Sequence, residues 1–107
     1  MNVAVIGDAD TTTGFRLAGI TAVYEAKSQT APQVLEKVLT EDYDIIIITE
    51  SLAAFAEEQL SEVRGKATPV IVEIPDKKGS IGYTKKILKE VIKNAVGVDI
   101  TLRRGES

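Results

Sequence analysis

Two acidic and hydroxyl-rich turns carry the residues of this chain that could do chemistry. Asp8, Asp10, Thr11, Thr12 and Thr13 follow the first apolar run, and Thr49, Glu50 and Ser51 follow the run Ile45 to Ile48. Carboxylates beside hydroxyls suit a magnesium and phosphoryl site, because hard cations take oxygen ligands. The same residue types are also the usual turn and helix-cap residues. Other chemistries are closed by composition. With no cysteine there is no thiol nucleophile, zinc thiolate or disulfide, and with no histidine the commonest general base is missing. Acid–base work would fall to carboxylates, lysines or tyrosines. The loop from Gly7 to Gly14 lacks G-x-G-x-x-G and the lysine–serine pair of a phosphate-binding loop. Its two aspartates would repel a pyrophosphate. These residues assign no catalytic, cofactor-binding or metal-binding site, and no cofactor is expected.

The elements that would position these turns read out in order. A chain of 107 residues, 44% apolar and 27% charged, is one domain of ordinary globular composition. Val3 to Ile6 is apolar throughout, as in a parallel-sheet strand buried on both faces. A short helix over about 13–18 is expected next, capped by Thr12 or Thr13 and stopped by Gly19. Ile20 to Glu25 alternates, which suits an edge strand. Thr30 and Gln33 have capping-box spacing ahead of Val34, Leu35, Val38 and Leu39, which share one helix face. Ile45 to Ile48 is the strongest strand signal, because β-branched residues favour a pleated sheet. Ser51 is expected to cap a helix carrying Leu52, Phe55, Ala56, Leu60 and Val63, with Gly65 as its stop. Val70 to Val72 makes a fourth strand between Pro69 and Pro75. The last helix is expected over about 84–96.

Strands alternating with helices predict an α/β fold: a four-stranded parallel sheet with helices on both faces and a C-terminal amphipathic helix. The two most apolar strands should be central, giving the order 2-1-3-4. The expected division is a body over 1–76, a hinge-like loop over 77–83 with Gly79 and Gly82, and a helix and tail over 84–107. Val98, Ile100 and Leu102 alternate with polar residues inside that tail.

Charge is uneven. Residues 1–75 carry 5 basic and 12 acidic side chains, whereas residues 76–107 carry 8 and 4. A basic tail on an acidic body suggests that the two meet different surroundings. Lys85, Lys86, Lys89 and Lys93 could line a phosphate-facing stripe, but few aromatics (5%) and the acidic body argue against nucleic acid as a partner. The isoleucine run is far too short to span a bilayer, which takes about 20 residues. The N-terminus lacks a basic region and cleavage site of the secretory kind, so a cytoplasmic location is expected.

A receiver (phospho-acceptor) domain shares this pattern and has an acidic pair after its first strand. Here Thr49-Glu50 stands where a receiver has its acceptor aspartate, and Glu73-Ile74-Pro75 replaces its lysine–proline pair. Four βα units rather than five are present. The alternative that survives is a degenerate receiver-like signalling domain binding magnesium at Asp8 and Asp10.

The segments AVIGDADTTTGFRLAGI, ITE, TPVIVEIPDKKGS and AVGVDI, in that order, resemble the F subunit of archaeal and bacterial A/V-type rotary ATPases. TGFRLAG and the helix ending in VGVDI are the most specific parts. The resemblance implies a non-catalytic central-stalk protein with a small receiver-like body. It implies a mobile C-terminal helix that reaches along a coiled-coil shaft, the D subunit of such complexes, toward the catalytic A and B subunits. The membrane would be met only indirectly, through the complex. The expected partner-contact residues are Arg16 and the apolar face Ile87, Leu88, Val91, Ile92 and Ala95, with Gly79 and Gly82 as the hinge.

Overall fold

The first and third apolar runs pair in the middle of a parallel sheet, as their lack of polar positions requires. In the computed structural model, which describes residues 2–76 and 84–93, β1 (Val3–Gly7) pairs with β3 (Ile45–Thr49) and with β2 (Val23–Glu25), and β4 (Val70–Ile74) pairs with β3. The order is β2-β1-β3-β4, as expected from the sequence, and every pair is parallel. Every residue of β3 is buried. Burying an isoleucine side chain contributes about 1.5–3 kcal/mol, so this strand is a main source of stability. Asn2 clamps the entry to the two central strands. Its N–H donates to Asp44 Oδ2 at 2.7 Å and its side-chain amide donates to the Asp42 carbonyl at 3.2 Å.

Side chains alternate across the sheet and make two cores. On one face Ala4, Ile6, Ile46 and Ile48 meet α2 (Ala31–Leu39), α3 (Glu50–Phe55) and α4 (Glu57–Val63). On the other face Val5, Ile45, Ile47 and Ile74 meet α1 (Ala9–Leu17) and α5, the helix over residues 84–93.

The local boundaries differ from expectation in instructive ways. Helix α1 begins at Ala9, not near 13, because Asp8 is its cap: Asp8 Oδ1 accepts the Thr11 N–H at 2.8 Å. Its end follows the expected glycine stop. Gly19 has φ 107°, with the Gly19 N–H donating to the Arg16 carbonyl and the Ile20 N–H to the Phe15 carbonyl, both at 3.0 Å. Phe15 and Ile20 pack in the same core, completing the hydrophobic contact of this terminator. Only Val23 to Glu25 joins the ladder as β2, although Ile20 and Ala22 still pack against the sheet.

Thr30 precedes α2 without making the expected capping-box bond. Its hydroxyl instead accepts the Lys27 N–H at 2.9 Å. Leu35 and Val38 are buried, with Val34 and Leu39 packed beside them. The third helical stretch breaks at Ala56 into α3 and α4, and Phe55 is 58% exposed rather than part of the apolar face. Gly65 follows α4 without a left-handed φ. The hinge residues Gly79 and Gly82, Ala95 and the alternating segment Val98 to Leu102 lie outside the described residues.

Candidate functional site

The turns that suggested phosphoryl chemistry lie at the carboxyl ends of β1 and β3, where an open α/β sheet binds ligands. Three of their polar side chains, those of Asp8, Thr12 and Ser51, make hydrogen bonds within the fold. Asp8 Oδ1 caps α1, and the Thr12 hydroxyl donates to the Ala9 carbonyl at 3.1 Å. Gly7 is needed for the same turn, since a Cβ there would lie 2.8 Å from Thr11 Cγ2. Ser51 does not cap α3 with its own side chain. It stands one position inside the helix and receives a cap from far along the chain. The Ser51 N–H donates to Asp76 Oδ2 at 2.7 Å, and its hydroxyl donates to Asp76 Oδ1 at 2.6 Å. Among the described residues, no group of three or more acidic side chains is placed to hold a metal ion. Nor does any buried side-chain polar atom among them lack a partner.

The second candidate surface is α5. Its spacing puts Thr84, Leu88 and Val91 on one buried face, with Ile87 and Ile92 half-buried at its margins. That face rests on Phe15 of α1 and on Val5, Ile45, Ile47 and Ile74 of the sheet. Lys85, Lys86, Lys89, Glu90 and Lys93 are exposed on the other side. Four of the five named apolar contact residues of the last helix therefore share one layer with the sheet. Arg16 is exposed in the last turn of α1, on the same side of the molecule.

Helices α1 and α5 approach closely at Gly14. A Cβ at this position would stand 2.7 Å from Thr84 Oγ1 and 3.5 Å from Thr84 Cβ and Cγ2. The sequence marks Gly14 only as a weak point in a helix. Nothing local shows that a residue 70 positions away fills its space.

Exposed charge is sorted by face. Helices α2, α3 and α4 carry Glu36, Glu50, Glu57, Glu58 and Glu62 against Lys37 and Arg64. Arg64 links α4 to the edge strand through ion pairs with Glu57 and, at 2.5 Å, with Glu73. On α5 the four lysines face a single Glu90. Tyr24 and Tyr43 form a further pair, with hydroxyls 2.6 Å apart and rings edge-on at 81°. The hydrogen bond to Tyr24, with some desolvation, pushes the Tyr43 phenol up to about 12.

Comparison with known proteins finds relatives over nearly the whole chain. The family model described as ATP synthase (F/14-kDa) subunit matches residues 3–92. The chain is 42% identical to the F subunit of the A-type ATP synthase of Methanococcus vannielii, with 94% of this chain and 99% of the relative covered. It is 40% identical to the protein of the same name from Pyrococcus abyssi, covering 94% and 98%. Identity to the counterpart from Methanothermobacter thermautotrophicus is 36%, covering 92% and 95%. The match takes in both central strands, the glycine-stopped first helix and most of α5. The chain belongs to the family of the ATP synthase F/14-kDa subunit.

Proposed function

We propose that this chain is a non-catalytic central-stalk component of a V/A-type rotary ATP synthase, binding the coiled-coil D subunit of the shaft and coupling or regulating ATP turnover and ion translocation. The observation that carries this reading is α5. A terminal amphipathic helix rests on the body by one apolar face, and the same face is what helix-in-groove recognition by a coiled coil uses. Residues 1–76 act as the body and residues 84–107 as the reaching element, with Gly79 and Gly82 absorbing the change of direction between them. Ile87, Leu88, Val91, Ile92 and Ala95 form the apolar contact, and Arg16 adds a charged one from α1. Turnover itself belongs to the A and B subunits, toward which the helix points when extended.

The protein works on the cytoplasmic side and meets the membrane only through the complex. In keeping with that, no helix among the described residues is long and apolar enough to cross a bilayer. Magnesium binding at Asp8 and Asp10, as in a receiver-like signalling domain, is the less favoured reading, because among the described residues no group of three or more acidic side chains is placed to hold a metal ion.

Pull-down of the tagged chain from a detergent extract tests the reading. Co-purification of a coiled-coil shaft with ATPase subunits is the expected result. A chain lacking residues 84–107 should retain a folded body and show weakened coupling of ATP hydrolysis to ion movement. Unchanged coupling after that truncation would remove the role given to the helix.

A further inference from the structure

We infer that Gly14 is a seat for the first turn of α5, and that the space left by its missing side chain decides how firmly α5 stays on the sheet. The contact is specific. Thr84 is 7% exposed, and its Oγ1 stands 2.7 Å from where a Cβ on Gly14 would be. Real Cβ atoms do not show that distance, so with a methyl group there the Thr84 hydroxyl must shift out of the seat, and Thr84, buried between α1 and the sheet, has to readjust. Thr84 is the first described residue of α5, and it enters the layer ahead of Leu88 and Val91. That readjustment falls on the layer that also holds Leu88 and Val91, which follow Thr84 one and two turns along the same face.

The other side of the connection is also fixed. Asp76, at the end of β4, is bonded to Ser51, so residues 77–83 join a point held against α3 to a point held against α1. Of these two anchors, the Gly14–Thr84 contact alone lies between α5 and the body. The glycine also works against its own helix, since glycine inside α1 is less favourable than alanine. A position that weakens α1 while admitting Thr84 is accounted for by the docking of α5. The inference concerns the free chain and holds whatever partner α5 later meets.

Filling the seat should therefore have opposite effects on two helices. In Gly14→Ala, amide hydrogen exchange across 87–93 of the free full-length chain should speed up at least tenfold, while α1 amides become no less protected. The distances also define a rescue. Thr84→Ala removes Oγ1 and Cγ2 and leaves a Cβ 3.5 Å from the new methyl, an ordinary contact. The double variant Gly14→Ala with Thr84→Ala should return exchange across 87–93 to near the rate of Thr84→Ala alone. Three results would overturn the inference: unchanged exchange across 87–93 in Gly14→Ala, acceleration spread equally over β1 and β3, or no recovery in the double variant.

Discussion

At the scale of single residues, the acidic turn after β1 has a structural job that a conservative substitution can isolate. Asp8 caps α1 through the Thr11 N–H, and asparagine caps a helix about as well as aspartate. Asp8→Asn should leave stability nearly unchanged, and Asp8→Ala should lose about 1 kcal/mol in chemical denaturation. A metal role would make both variants equally defective in magnesium titration.

Tyr43 supplies a pH signature. Its folded-state value, pushed up to about 12 by the hydrogen bond to Tyr24, lies above the 10.0 of a free phenol. The folded chain thus holds the phenolic proton more tightly than the unfolded chain. This stabilisation is complete below pH 10 and is lost as pH rises toward 12. Phenolate absorbance should show a component from Tyr43 titrating well above pH 10, and Tyr24→Phe should bring its midpoint down. Neither role was legible locally. The sequence offered Thr12 or Thr13 for the cap that Asp8 makes, and Tyr24 and Tyr43 meet only because β2 and the approach to β3 are brought together by the sheet.

Elements were legible where one side of the chain is uniformly apolar. The Val3 to Ile6 and Ile45 to Ile48 runs declare two buried strands, and right-handed crossovers then leave little choice of order. Boundaries were less legible, because tertiary partners set them. Helix α1 extends back to Ala9, through residues whose propensity alone favours a turn. Helix α3 is capped by a carboxylate 25 residues downstream, a distance no local pattern encodes. The break at Ala56 turns Phe55 outward, although its spacing places it with Leu52 and Leu60 on a continuous helix. The long-range cap can be tested directly. Asp76→Ala removes two hydrogen bonds from the start of α3 and should cost about 1–2 kcal/mol. Faster amide exchange should then appear in α3 and at the end of β4, with β1 unaffected.

For the whole molecule, the uneven charge of the sequence becomes a spatial separation. Lys85, Lys86, Lys89 and Lys93 lie on α5 on one side of the sheet, and the glutamates of α2 to α4 lie on the other. The family was legible from ordered segments spread along the chain, while the docked position of α5 was one of two outcomes that its apolar face allowed. Binding of the lysine face of α5 to an acidic partner should slow as salt rises, chiefly through the association rate, because screening acts before contact. Lys89→Glu with Lys93→Glu should flatten or invert that dependence in stopped-flow mixing, while leaving the dissociation rate less affected.

The same separation of charge has a geometric consequence. The two helix layers stand on the order of 20 Å apart, twice a typical layer spacing, which exceeds the Debye length of about 8 Å at physiological ionic strength. In dilute buffer the molecule behaves as a compass needle, and a distant field turns it before it arrives. In the salt of a cell the needle is cut in two: each face senses only what is within about 8 Å of it, and one face can be held while the other stays blind to the event.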